Sequence, residues 1–376
     1  MVLLLLIIFS QGGAMEHSLE LKQHPWTEER KNEWLKSAHN SRSPEATRTI
    51  LSSEEGRAAD PQKPSNLQNE TPLQWNFPTQ GAGATVFIDD TACLTDNWGG
   101  NLNVINCDKG TNKLAGKVGN WWGNGCCLQQ TSASDNGYVA LCDLTEINRI
   151  TILATYPSQV SIAATLQYQT ETPSLSGFNC VAGNKDLFFS GRGKGQVALW
   201  SVARARLLNF WYSIQEPDSI YNAIASTANG EQAAAAYNEG KIGLFDSKTS
   251  NPVGYVPIEK NWPWVLTYDK TENYLAYGDM MGENSNISIY DLRTMKLFQT
   301  LEDKSEEGTA NLQFKGNNEL ISVGWNSIIT KWNLETKAKI SSQKLPIKDP
   351  LRVAFSPGAE WYVAGGQCDI VAGKIE

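Results

Sequence analysis

The chain has 376 residues, 41% of them hydrophobic, and carries 32 Lys and Arg against 40 Asp and Glu, a formal net charge of −8. That balance, with no run of basic residues, argues against nucleic acid as a partner, because affinity there comes from clustered Lys and Arg neutralising phosphates. The seven cysteines (Cys93, Cys107, Cys126, Cys127, Cys142, Cys180 and Cys368) are odd in number and form no C-x-x-C pair, so they signal neither a zinc site nor a disulfide framework.

The chain opens on an apolar run, Val2 to Phe9, far too short to span a bilayer. Gly12 and Ala14 suit signal-peptidase cleavage, yet no Lys or Arg precedes the run, and Met15 offers a second start. Residues 1–14 are therefore either a signal segment of a secreted or periplasmic protein or a leader, and a cytoplasmic location is slightly favoured. Residues 15–69 read as a polar tail. Thr27, Glu28 and Glu29 resemble a helix start with Trp34, Leu35 and Ala38 as its apolar stripe, and Ser43-Pro44 opens a second short helix. Asp60 to Ser65 is a linker by composition. The tail is either disordered or a docking arm.

From residue 70 the pattern becomes one of strands. A beat of mostly apolar residues ending in an aromatic and a Ser, Asp or Asn recurs at Val197 to Ser201, Ile242 to Asp246, Ile287 to Asp291 and Ile329 to Asn333. Weaker versions stand at Val104 to Asp108 and Val139 to Asp143, where Cys107 and Cys142 take the aromatic place and read as small buried hydrophobes. Short apolar strands ending in turn residues precede the beats, as at Ala92 to Thr95, Leu187 to Ser190 and Leu320 to Val323. The spacing, mostly about 42 to 45 residues, is that of four-stranded propeller blades. The second interval is tight and the third is stretched near Thr170 to Asn179. Blade two is thus the least defined, with six or eight blades as alternatives to seven.

Phe245-Asp246, Tyr290-Asp291, Trp332-Asn333, Trp200-Ser201 and the string Val353 to Gly358 resemble the WD-repeat propeller family over residues 70–376. The resemblance implies a protein-interaction platform. One departure is clear: His17, His24 and His39 all lie in the tail, so the family's Gly-His pair is missing and each blade must rely on packing. The last repeat offers only Val353 to Phe355, Trp361 to Ala364 and Ile370 to Ile375 before the chain ends. A blade of three strands would leave an open edge. The alternating segment before the first repeat, with Leu73, Trp75 and Phe77 on one face, is expected to supply the fourth strand. The expected fold is all-β: a seven-bladed β-propeller of four-stranded antiparallel blades, closed by Leu73 to Phe77, behind a polar N-terminal tail.

A propeller without histidine cannot build Ser-His-Asp or Cys-His chemistry, and it lacks the commonest metal ligand. Catalysis would need carboxylates alone, and the candidates Asp96, Asp135, Glu239, Asp279 and Glu283 sit near turns, where acids more often cap hairpins. Gly191 to Gly195 opens no helix and reads as a hairpin, not a phosphate loop. No catalytic residue, cofactor or metal is expected. The aromatic residues carry the stronger signal. Trp121, Trp122, Trp211, Tyr212, Trp262 and Trp264 map to connections from one blade's outer strand to the next blade's inner strand. Trp98 and Trp325 map to connections from second to third strand, which share the same face. Such rings anchor interfaces. Acidic neighbours, including Glu216, Asp218, Glu239, Asp279, Glu302, Glu306 and Glu307, favour a basic protein or peptide partner. The reading is a non-catalytic scaffold with no membrane span. Two alternatives are an extracytoplasmic propeller that binds or hydrolyses a glycan or other small molecule with carboxylates and tryptophans, and a subunit of a large complex docked through its tail.

Overall fold

The computed structural model describes residues 47–48, 74–78, 84–96, 101–117, 122–129, 137–143, 149–156, 160–167, 178–184, 186–192, 196–212, 221–237, 241–249, 251–258, 263–279, 286–302, 307–348, 350, 352–366 and 369–376. The leader at 1–14 and the helix starts at Thr27 and Ser43 lie outside the described residues. Two strands precede the first blade, β1 (Thr47–Arg48) and β2 (Gln74–Pro78). Blade one is β3 (Thr85–Phe87), β4 (Ala92–Asp96), β5 (Asn101–Asn106) and β6 (Thr111–Lys117). Blade two is β7 (Trp122–Gln129), β8 (Gly137–Asp143), β9 (Arg149–Thr155) and β10 (Val160–Gln167). Blade three is β11 (Phe178–Asn184), β12 (Leu187–Arg192), β13 (Gln196–Ser201) and β14 (Arg206–Tyr212). Blade four is β15 (Tyr221–Ser226), β16 (Gln232–Tyr237), β17 (Lys241–Asp246) and β18 (Gly254–Pro257). Blade five is β19 (Pro263–Tyr268), β20 (Tyr274–Asp279), β21 (Ile287–Asp291) and β22 (Lys296–Leu301). Blade six is β23 (Thr309–Lys315), β24 (Glu319–Gly324), β25 (Ile328–Asn333) and β26 (Ala338–Lys344). Blade seven is β27 (Arg352–Phe355), β28 (Trp361–Gly365) and β29 (Asp369–Lys374), completed by β2.

The expected seven blades are therefore present, each antiparallel, and β2 closes the last one. Its register sets Trp75 opposite Ala372 and Phe77 opposite Ile370. Both rings enter the core between blades seven and one, beside Phe87, Cys93 and Ile105. Trp75 Nε1 donates to the Cys107 carbonyl of blade one at 2.9 Å, so one side chain ties the two sides of the seam. Gly110, at φ +60°, lies under this ring, and a Cβ there would come within 2.3 Å of it. A fifth strand, unforeseen from the sequence, adds to this blade: Thr47 pairs with Asn76 and Arg48 with Trp75.

Seven apolar clusters fill the seven interfaces between blades. The run Ala233 to Ala236 shows how a strand feeds two of them. Alanine is a poor strand former, but alternation sends Ala233 and Ala235 towards blade three and Ala234 and Ala236 towards blade five. All four are fully buried, and small side chains let the sheets approach closely.

The beat residues have a common job. Trp200, Phe245, Tyr290 and Trp332 all pack against the preceding blade. Register corrects the two weak beats. In blades three to six the final polar residue of the third strand faces the first residue of the second strand. By that rule blade one's beat ends at Ile105-Asn106, not Cys107-Asp108. Val139 to Asp143 lies on the second strand of blade two, and its true third strand is β9, with Ala154 in the ring position. The large group has moved across the ladder to Tyr138, opposite Ala154. Blade seven does the same, with Tyr362 opposite Gly373.

Candidate protein-interaction face

Alternate strand ends collect on two faces of the ring. One carries the connections from outer to next inner strand and from second to third strand; the other carries the remaining turns. The first face receives the start of β19, and so Trp264, and the turn after β24, and so Trp325. These two rings meet edge to face, with centroids 5.9 Å apart and planes at 64°, a favoured aromatic geometry. Local backbone bonds hold Trp325 in place. Its N–H reaches the Gly308 carbonyl at 3.3 Å, and Ser327 N–H closes the turn on the Gly324 carbonyl at 3.0 Å. Asn326 Oδ1 accepts from Ile328 N–H at 3.0 Å, while the Asn326 carbonyl accepts from Lys344 Nζ.

Trp264 is buried on the first strand of its blade, and Trp325 is half-buried. The Trp325 Nε1 atom is out of solvent yet meets no acceptor among the described residues. An indole donor in that state is costly and unusual in a folded protein. Blades five and six are pressed together beneath the pair: a Cβ on Gly278 would lie 2.6 Å from the Thr309 side chain.

Charged groups share this end of the ring. Asp279, at the end of β20, is buried. Asp96, at the end of β4, is also buried, and its carboxylate accepts from the Ala84 N–H. The bond joins the start of β3 to the end of β4, across the ladder and not within a turn. Burial pulls the Arg352 guanidinium below its ordinary pKa, and the negative charge of Asp96 opposes that shift. Burial raises the carboxyl of Asp369, at the start of β29. Glu302 and Glu307 are exposed on the connection between blades five and six. Asp135, Glu239 and Glu283 lie outside the described residues.

The remaining aromatic candidates divide. Trp98, Trp121 and Trp262 fall outside the described residues, while Trp122 begins β7 and Tyr212 ends β14. Trp122 and Tyr212 border connections of the same face. Trp211 departs from expectation. It is a fully buried strand residue, stacked on Phe189 at 6.0 Å and tilted against Phe245 at 5.6 Å, and its Nε1 donates to the Thr249 carbonyl at 3.2 Å. It braces blade three on blade four. The sequence missed the reason: β14 runs to Tyr212, so Trp211 faces the next blade instead of the connection.

Inside blades three and six, Trp200 Nε1 donates to Ser190 Oγ at 2.8 Å and Trp332 Nε1 to Ser322 Oγ at 2.9 Å. Seven four-stranded blades, with such beats in blades three to six, make a WD-repeat-like propeller. Over 134 residues, 35% of its length, the chain is 26% identical to a guanine nucleotide-binding protein subunit beta of Dictyostelium discoideum, and it spans 38% of that relative. No protein-family model matches the chain. Among the described residues, no helix is long and apolar enough to cross a membrane, and no cluster of His, Cys, Asp or Glu is arranged to hold a metal ion.

Proposed function

We propose that the protein is a non-catalytic interaction scaffold that holds a peptide or protein segment on the face where Trp264 and Trp325 meet. The supporting observation is the Trp325 indole N–H, removed from water and without an acceptor among the described residues. A backbone carbonyl from an incoming chain would complete it, and the edge-to-face pair would supply rigid apolar contact. The exposed Glu302 and Glu307 beside it favour a partner carrying Lys or Arg. Similarity to a G-protein beta subunit agrees with a scaffold role. The test is affinity capture from native extract with the intact chain, its Trp325→Phe variant and a Glu302→Lys/Glu307→Lys variant. Trp325→Phe keeps the ring and removes the donor, so depleted recovery of specific partners is expected. The charge reversal should deplete basic partners. Identical captured sets from all three proteins would overturn the assignment.

A further inference from the structure

Each blade ends in an outer strand, and an open strand edge invites pairing with another chain unless a charge, a proline, short length or a cover blocks it. Six of the seven outer strands have such a block. Blade one's β6 has Lys113 and Lys117, blade three's β14 has Arg206, blade five's β22 has Lys296, and blade six's β26 has Lys339 and Lys344. Blade four's β18 is four residues long and ends on Pro257. Blade seven's β2 ends on Pro78 and is covered by β1.

The exception is β10 of blade two. At eight residues it is the longest of the seven outer strands, and Val160–Gln167 contains neither a charged residue nor a proline. It ends its sheet, and among the described residues no strand pairs with its outer side. Ser161, Ile162, Ala163 and Thr165 are exposed, Ile162 to 55%. Its ladder partner β9 has a single charged residue, Arg149, opposite Gln167 at the far end. The β10 register slips between Ile162 and Ala164, but β6, β14, β22 and β26 slip against their third strands too, so the bulge does not set β10 apart. Strand addition at a blade's outer edge already occurs within this chain, where Thr47 of β1 pairs with Asn76 of β2.

We propose that β10 is a self-association edge, pairing antiparallel with the β10 of a second copy about a two-fold axis. One such strand per copy makes the contact isologous, and it closes at two. The strand suits a copy of itself better than a foreign peptide. It offers no charge with which to select one, and two copies of net charge −8 repel least where neither presents a charge. Main-chain bonds supply the attraction, and Ile162 of each copy leaves water. A single strand pair falls short of the area of a standard stable interface, so the dimer is weak and forms as concentration rises. The strand lies on the rim of the ring, away from the tryptophan pair, so the two proposals fail independently.

Sedimentation velocity of the intact chain over a concentration series to about 0.2 mM tests it. The wild type should pass from monomer to dimer. Ser161→Lys/Thr165→Lys changes two exposed positions of β10 and should weaken association about tenfold or more. Ala338→Lys/Ser342→Lys makes the same charge change at exposed positions of β26 and should associate as the wild type, as should Trp325→Phe. Melting curves check that the variants fold, and the single Thr165→Lys replaces a double variant that melts early. The proposal is overturned if the wild type stays monomeric or forms species larger than a dimer, if lysines on β10 leave association unchanged, or if lysines on β26 weaken it equally.

Discussion

A buried indole needs an acceptor, and the repeats show how each ring's chemistry sets its neighbour's. Where the beat is Trp, the second strand offers serine: Ser190 for Trp200 and Ser322 for Trp332. Where it is Phe245, the matching place is Ala235, since phenylalanine has nothing to donate. Tyr290 stacks on Tyr277 and sends its hydroxyl to the Pro257 carbonyl of the preceding blade at 2.9 Å. Ser322→Ala should therefore cost about 1–3 kcal/mol by stranding a buried donor. In a Trp332→Phe background the same change should cost under about 0.5 kcal/mol, and denaturant titration of the four proteins measures the coupling. Equal costs in both backgrounds would mean the hydrogen bond contributes nothing. A second residue-scale prediction concerns pH. Hydrogen bonds from Arg293 hold the Asp291 carboxyl below its ordinary pKa. A depressed pKa stabilises the fold above the unfolded value and is lost as pH falls through the folded one. Asp291→Asn should lower the melting temperature at neutral pH, with the gap to wild type narrowing below about pH 4. A gap that does not change with pH would refute this.

At the scale of the element, β2 is the strand on which closure depends. Removing residues 70–80 takes away its ladder with β29 and the burial of Trp75 and Phe77. Each ring's burial is worth about 1.5–3 kcal/mol, so the melting temperature should fall on the order of 10 °C; unchanged melting would sink the closure model. This strand was legible because alternation and a missing fourth strand pointed to the same residues, one place early at each end. Blades three to six were legible because their rings sit at the ends of third strands. Blades one and two were misread because Ile105 and Ala154 stand where a ring was sought, and in blade two the bulk crosses to Tyr138. Of the candidate face, the end of the ring at which Trp264 and Trp325 lie could be read from connection order. The burial of Trp211 could not, since it depends on how far β14 extends and on which blade its side chain meets.

At the scale of the molecule, the ring is a stack of seven interfaces closed on itself. Closure has a further consequence in time. β2 leaves the ribosome early, yet its partner β29 follows about 290 residues later, a wait of roughly 15–60 seconds at ordinary elongation rates. Through that interval Trp75 and Phe77 have only the blade-one side of their core, and β2 lacks its ladder with β29. The nascent chain therefore passes through a state in which that apolar flank is uncovered until β29 arrives.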